Sequence, residues 1–207
     1  MRIHFQVEME DLTRIEADLG MMKDKSKLVL RAAINNAAKE TEKRLVNEAN
    51  DRYKYQGKKS GIRKVNTIKK AKVSNMTAIV EAKGPANELL DFEVKPRTYF
   101  PAGRGAPKWI KSRGRRDSNL TNVARRPNAA GDKYKGFVVK FQSGHLAVVE
   151  RVPGKYMGKK PHKEAIESLY SIATPKMEEV VYRDEIADDM YDLLQQSIQE
   201  QIVRFLK

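Results

Sequence analysis

The sequence predicts an α+β protein in which a mainly antiparallel β-sheet packs against two long α-helices, near residues 26–52 and 178–206. Two stretches with apolar residues at steps of three and four predict the helices. Stretches in which apolar and polar residues alternate, bounded by turn residues, predict the strands. The order of elements, one strand, then helices, then strands, then a helix, favours antiparallel pairing.

The first residues predict a strand and a short helix. Apolar and polar residues alternate from Ile3 to Met9, which is typical of a half-buried strand. From Leu12 to Leu19 the apolar residues recur at steps of three and four, and Gly20 is expected to end this helix.

The longest helical pattern runs from Ser26 to Arg52 without Gly or Pro. Ser26 can accept a hydrogen bond from an early backbone N–H, and the helix would be about 40 Å long. One face, about 120° wide, is predicted to be buried. It consists of Leu30, Ile34, Ala37, Ala38, Thr41, Leu45 and Ala49.

The middle of the chain predicts shorter elements. Strands are expected near residues 65–73 and 77–82, followed by a less regular apolar stretch over 89–94. Residues 137–152 predict a hairpin, with its turn at Gln142-Ser143-Gly144-His145. Pro153-Gly154 is expected to close this hairpin, and a connection is expected from Ile166 to Pro175.

The second long helix is predicted from Val180 to Leu206, within the segment 178–206. Its apolar stripe is wide, which indicates burial against more than one neighbour, a second subunit included. Five acids lie on its polar side: Asp184, Glu185, Asp188, Asp189 and Asp192. A solvated helix face explains them better than a cation site, and we treat them as a candidate acidic interface.

Between residues 96 and 136 the apolar pattern fails, and the sequence predicts a long basic loop inserted in a single domain that spans 1–207. Trp109 lies there among basic side chains, and it can stack on a base or anchor the loop to its own protein. The candidate contacts to DNA or to another subunit are Arg104, Lys108, Trp109, Lys111, Arg113, Arg115, Arg116, Arg125 and Arg126. Because the loop is predicted to lack core residues, replacing Arg113, Arg115 and Arg116 by Ser is expected to leave folding intact.

The net charge of +14 is unevenly distributed along the chain. Residues 95–135 carry 12 Lys and Arg against two Asp, whereas residues 178–200 carry eight acids against Arg183. Such segregation favours contact with a polyanion, or with the acidic segment of a neighbouring copy. The absence of Cys excludes disulfides and thiol chemistry, and no long apolar run or leader is present, so we expect a protein that acts without export or membrane insertion.

No catalytic or metal site is predicted. The three histidines, His4, His145 and His162, do not have the spacing of a metal-binding motif. None lies in the strand–turn–helix surroundings that are typical of a catalytic nucleophile. Gly103-Arg104-Gly105 is too short for a phosphate-binding loop, which needs a strand before it and a helix after it. We therefore expect no enzyme activity, no cofactor and no small-molecule substrate.

The C-terminal third contains a pattern that resembles minor tail protein Z of lambdoid tailed phages and their prophages. It consists of Gly144-His145-Leu146-Ala147-Val148-Val149-Glu150-Arg151, then Ile166-Glu167-Ser168-Leu169-Tyr170, then Thr174-Pro175-Lys176-Met177. The Ala-rich helix that leads through Tyr53-Lys54-Tyr55 into basic strands with a Lys70-Ala71 step is also similar. The chain departs from the family at Ser171-Ile172-Ala173, where its members usually have Gly-Pro-Ser.

The resemblance implies a structural protein of the tail neck that completes the tail and helps it to join the head. It implies a homo-oligomeric ring, expected as a hexamer, assembled in the bacterial cytoplasm and retained in the virion. The implied partners are tail-tube or tail-terminator proteins, head–tail connector proteins and packaged DNA without sequence preference. A different class, a free nucleic-acid-binding protein that uses residues 54–72 and 104–126, stays open as the alternative.

Overall fold

The computed structural model describes residues 1–6, 9–56, 62, 64–101, 105, 107–123, 135–156, 158 and 164–206. Within these residues it confirms the α+β class, with three antiparallel sheets of three strands each and a long helical segment at the C-terminus. Where the sequence predicts one domain, the chain divides into two compact units. Unit 1 comprises Met1–Ala49, Lys59–Gly84 and Thr174–Lys207, and unit 2 comprises Asn50–Lys58 and Pro85–Ala173.

Unit 1 combines one sheet with the long helices. Its elements are β1 (Arg2–Gln6), α1 (Met9–Leu19), α2 (Ser26–Arg52, whose last three residues belong to unit 2), β2 (Asn66–Lys69), β3 (Thr77–Ala82), α3 (Thr174–Val181) and α4 (Met190–Leu206). The bounds of α2 and β3 are those that the sequence predicts. The first strand is shorter than predicted, because it ends at Gln6 and Met9 already begins α1, while residues 7–8 lie outside the described part.

The strand predicted near 65–73 is also shorter, since only Asn66–Lys69 forms β2. A turn follows, closed by the backbone pair of Lys72 with Asn75. Ala71 is held by Asn35 of α2, whose side-chain amide both accepts from the Ala71 N–H at 2.8 Å and donates to its carbonyl at 3.2 Å. The side chain of Asn35 therefore takes the hydrogen bonds that a neighbouring strand would otherwise make.

The sheet of unit 1 has the strand order β1-β3-β2. Ile3 pairs with Val80 and Phe5 with Ala78, and all four side chains are buried on one face. The other face carries Glu81, which forms ion pairs with Arg2 of β1, Lys83 and Lys69. The pairs with Arg2 and Lys69 reach across to the neighbouring strands and stabilise this register.

The predicted buried face of α2 is confirmed. Leu30, Ile34, Ala37, Ala38, Thr41, Leu45 and Ala49 are all buried. The buried surface is wider than predicted, because Val29, Ala33 and Val46 are buried as well. Among the large apolar residues of the helix, Leu28 is the one that is exposed, at 36%.

The C-terminal helical segment begins at Thr174, earlier than the sequence predicts, with Pro175 in its first turn, where its missing N–H costs nothing. A π-helical turn at Tyr182–Ile186 and a 3₁₀ turn at Ala187–Asp189 separate α3 from α4. The buried residues step by four from Met177 to Val181 and then by five to Ile186. A π turn accommodates a step of five, so it keeps the apolar side of the segment on the core.

Unit 2 contains the other two sheets. Its elements are a 3₁₀ turn (Leu89–Asp91), β4 (Glu93–Lys95), β5 (Lys111–Arg113), β6 (Thr121–Asn122), β7 (Phe137–Lys140), β8 (Leu146–Tyr156) and β9 (Glu164–Ser168). The strand orders are β4-β5-β6 and β7-β8-β9. The predicted hairpin is confirmed, since Phe137 pairs with Val149 and Lys140 with Leu146, and Gly144 has a φ of 84° in the turn.

Two predictions after the hairpin are wrong. Pro153-Gly154 does not end β8, because the strand continues to Tyr156 with a shift of register between Arg151 and Tyr156. A Pro that cannot donate and a Gly with a φ of 68° are tolerated at such a bulge. Residues 164–168 form β9 against β8 and are not a mere connection.

The prediction that residues 96–136 form a loop without core residues is also wrong. This stretch contains β5 and β6, while residues 102–104, 106 and 124–134 lie outside the described part. Two of its side chains, Ile110 and Val123, are buried in the core of unit 2. That core consists of Leu89, Leu90, Val94, Ile110, Val123, Val138, Val148 and Leu169.

A basic sheet face as candidate polyanion or subunit interface

The candidate interface lies on the sheet β4-β5-β6. Because side chains alternate along a strand, Val94 of β4 and the flanking Ile110 and Val123 turn to the core of unit 2. Lys95 and Lys111 are a cross-strand pair and are exposed on the opposite face. The core positions of this short sheet therefore determine that its basic side chains face solvent.

Arg113 does not offer a free charge on this face. Its guanidinium donates to Glu93 Oε2 at 3.0 Å and 2.6 Å, and also to the carbonyl oxygens of Arg116 and Ser118. Glu93 also pairs with Lys95 at 2.9 Å, and its carboxyl is largely buried. The Arg113 hydrogen bond, followed by that of Lys95, lowers the pKa of Glu93 to about 2.

Arg115 and Arg116 also have partners within unit 2. Arg115 forms a two-point ion pair with Asp117 at 3.1 Å and 2.8 Å. The Arg116 guanidinium donates to the Asn50 carbonyl, and its backbone N–H donates to the Arg52 carbonyl. The three arginines thus fix the turn after β5, so the reason for expecting their replacement to leave folding intact does not hold.

Lys108 and Lys111 are the predicted contact residues, among those that the structure describes, that are exposed and whose side chains form no ion pair or hydrogen bond with a described residue. Trp109 is half-buried, and Lys135 Nζ lies 5.3 Å from the centroid of its ring. This contact anchors the Trp109 ring to its own unit, as one of the two predicted roles requires. Because part of the ring stays exposed, a nucleic-acid base can still stack on it.

The remaining predicted basic contacts, Arg104, Arg125 and Arg126, lie outside the described residues. Lys95 and Lys135 belong to the same basic surface, although the sequence does not predict them as contact residues. Lys95 directly follows an apolar stretch and Lys135 precedes a strand, so their positions in the sequence do not mark them as part of an interface. We call Lys95, Lys108, Trp109, Lys111 and Lys135 the basic face.

The five predicted acids, Asp184, Glu185, Asp188, Asp189 and Asp192, are all exposed in unit 1. They lie on the π turn, the 3₁₀ turn and the start of α4. Arg183 pairs with Asp184 at 2.9 Å, and Arg44 pairs with Asp189 at 3.7 Å. Two cations against five acids leave this acidic face with a net negative charge.

The two units differ strongly in charge. Unit 2 contains 21 Lys and Arg against nine Asp and Glu, which gives +12, while unit 1 contains 20 against 18, which gives +2. Nearly all of the net charge of +14 is therefore carried by unit 2. Charge of this density attracts a polyanion or an acidic protein surface over several ångströms.

The histidines have ordinary surroundings where they are described. His4 is exposed on β1, and His145 lies 3.0 Å from Glu88 Oε1 and stacks on Phe141 in the hairpin turn. His162 lies outside the described residues. Across the described ranges, no group of three or more His, Asp and Glu could hold a metal ion, and no helix is long and apolar enough to cross a membrane.

Comparison with known proteins gives no neighbour for this arrangement. No protein-family model, no curated protein and no solved structure matches the chain. What bears on function is therefore the basic face, the acidic face and the resemblance of the sequence.

Proposed function

We propose that this protein is a noncatalytic assembly subunit of the tail neck of a tailed phage or prophage, which forms a homo-oligomeric ring and takes part in tail completion and head–tail joining. The observation that carries the proposal is that one chain exposes two surfaces of opposite charge. The basic face belongs to unit 2, whose net charge is +12, and the acidic face lies on the C-terminal helical segment of unit 1.

Rings need two different complementary surfaces on each subunit, because a head-to-tail contact joins one surface of a copy to another surface of the next. Opposite charges at such a contact speed the encounter and reject wrong registers. The acidic face retains exposed acids such as Asp188 and Asp192, for which no ion pair is found within the described ranges. These charges are therefore open to an external cation.

The resemblance to minor tail protein Z supports the assignment of this subunit to the phage tail. It implies partners in the virion, namely tail-tube or tail-terminator proteins and head–tail connector proteins. A ring around packaged DNA also has a use for basic side chains without a sequence-reading motif. The proposal requires no bond to be made or broken.

Charge reversal tests the head-to-tail contact. The variant with Lys108→Glu and Lys111→Glu reverses two lysines of the basic face for which no ion pair is found among the described residues. The variant with Asp188→Lys and Asp192→Lys does the same for two such acids of the acidic face. Each variant alone should fail to assemble, because like charges then meet at the changed positions of one contact. An equimolar mixture should assemble again, because an alternating ring has attractive charges at every contact.

The measurement is size-exclusion chromatography with light scattering at low salt, on protein freed of nucleic acid by nuclease. The wild type should elute at several times the protomer mass of 23.6 kDa and dissociate as salt is added. Asp18→Lys, an equally exposed change on α1, is the matched control and should assemble normally. Normal assembly of both reversed variants, or no recovery in the mixture, would contradict the proposed contact.

The alternative function is sequence-nonspecific binding of nucleic acid by a free monomer. The observation that favours it is the half-exposed Trp109 beside unpaired lysines on the basic face. The variant with Lys108→Glu and Lys111→Glu would then weaken duplex binding and reduce the slope of log K against log salt by about 2, since each phosphate contact contributes about 0.9. A monomer that shows this change and never assembles would favour the alternative.

A further inference from the structure

A buried carboxyl group links α3 to the sheet of unit 1. Glu178 of α3 is fully buried, and Asn66 of β2 lies on the same inner side of the sheet as Val80 and Ala82. Asn66 Nδ2 donates to Glu178 Oε1 at 2.8 Å. This contact joins residues 112 positions apart and ties the start of the C-terminal helical segment to the sheet.

The other oxygen of each group lacks a partner. Asn66 Oδ1 and Glu178 Oε2 are both buried, and neither has a hydrogen-bond partner in the described part of the chain. Two oxygens without hydrogens cannot satisfy one another, and a buried acceptor without a donor is costly. A proton on Glu178 Oε2 would allow it to donate to Asn66 Oδ1, because a carboxylic acid and an amide can form two antiparallel hydrogen bonds.

The surroundings favour the protonated acid. The charged groups that act on Glu178 are the buried carboxyl of Glu42 on α2 and the amino group of Met1 at the start of β1. Burial, opposed by the Asn66 hydrogen bond and reinforced by Glu42, raises the pKa of Glu178 to about 7. The effect of burial and of a second carboxyl exceeds that of the distant amino group.

We propose that Glu178 is held as a neutral carboxylic acid in a two-point pair with the amide of Asn66, and that its ionisation loosens the attachment of α3 to the sheet. Loss of the proton removes one of the two hydrogen bonds and leaves an uncompensated charge beside Glu42. The C-terminal helical segment, which carries the acidic face, is thereby made sensitive to pH near neutrality.

The sign of the pH dependence follows from proton linkage. In the unfolded chain Glu178 ionises near its ordinary value of 4.5, whereas in the folded protein it keeps its proton to about pH 7. The folded state therefore binds the extra proton between these values, and stability falls as the pH rises through that range. From pH 5 to pH 8 the unfolding equilibrium constant should rise about 70-fold through this group alone.

Glu178→Gln tests the pair directly. The glutamine amide can donate to Asn66 Oδ1 as the acid does, but it does not ionise. Urea unfolding should show that the unfolding equilibrium constant of the wild type rises about 70-fold from pH 5 to pH 8. In the variant this 70-fold contribution should be absent. Glu179→Gln is the matched control, because Glu179 is exposed on the same helix, pairs with Lys176, and should leave the rise unchanged.

Infrared spectroscopy provides a readout that does not depend on stability. The wild type at pH 6 should show the C=O stretching band of a protonated carboxylic acid, which disappears toward pH 8 and is absent in Glu178→Gln. Parallel pH profiles for wild type and Glu178→Gln, or no protonated band at pH 6, would overturn the proposal. Should the variant fail to fold, the wild-type infrared band alone decides.

Discussion

Replacing Ile110 by alanine tests whether the basic stretch belongs to the core of unit 2. The side chain is only 5% exposed and packs in a cluster with Val94, Val123 and Leu169. The change removes three carbons at about 0.8 kcal/mol each and leaves a cavity, so the total loss of unfolding free energy should be about 3 kcal/mol. In a protein of this size that corresponds to roughly 6–12 °C in the melting temperature.

Fluorescence of Trp109 is a suitable probe for this experiment, because it is the single tryptophan of the chain and directly precedes Ile110. Urea unfolding of Ile110→Ala should show a lower midpoint with an unchanged slope. Lys111→Ala, at the exposed neighbouring position, is the matched control and should change the free energy by less than about 0.5 kcal/mol. An unchanged midpoint for Ile110→Ala would mean that the stretch is a solvated loop, as the sequence predicts.

Three further changes test other parts of the structure. Gly136→Ala should lower the melting temperature, because the added methyl would lie 2.6 Å from Val123 Cγ1, whereas Gly114→Ala has nothing within 4 Å and should be neutral. Arg113→Ser should lower the urea midpoint, since it leaves a largely buried carboxylate without its two-point partner; a wild-type midpoint would contradict the role assigned to this ion pair. Ile34→Asp buries a charge in α2 and should abolish the cooperative transition seen by circular dichroism, and a normal transition would refute the burial of that face.

The sequence was sufficient for the elements whose pattern is long. The face of α2 could be predicted because seven residues recur over almost the whole helix, and the hairpin of β7 and β8 because alternation surrounds Gly144. Strands β5 and β6 have only three and two residues. They are too short for an alternation of apolar and polar residues to be recognised in the sequence. The core residues beside them, Ile110 and Val123, each have a single apolar neighbour in the sequence, Trp109 and Ala124, so no periodic pattern marks them.

The π turn in the C-terminal segment left a signal that a search for steps of three and four misses. The step of five from Val181 to Ile186 interrupts an otherwise regular stripe. In α4 the apolar residues Leu193, Leu194, Ile198 and Ile202 are buried, whereas Leu206, which belongs to the same predicted stripe, is 53% exposed. The predicted start of the helical segment was wrong. The earlier start at Thr174 depends on contacts of Met177 and Glu178 with the core, which a local pattern does not reveal.

The sequence predicted where the basic stretch lies, but not which of its side chains are free of ion pairs within their own unit. Composition identifies the basic stretch, and the exposure of Lys108 and Lys111 agrees with it. The role of Arg113 could not be predicted, because its partner Glu93 lies 20 residues away and reaches it only through the pairing of β4 with β5. Whether an arginine is a contact or an internal tie depends on tertiary structure, which charge counting does not include.

The proposed function requires that the protein assembles with copies of itself. Electron microscopy of the purified, nuclease-treated protein at low salt tests it most directly. We expect closed rings with a central opening, built from several copies and free of nucleic acid. Single protomers at every salt concentration, even with tail-tube protein present, would contradict it.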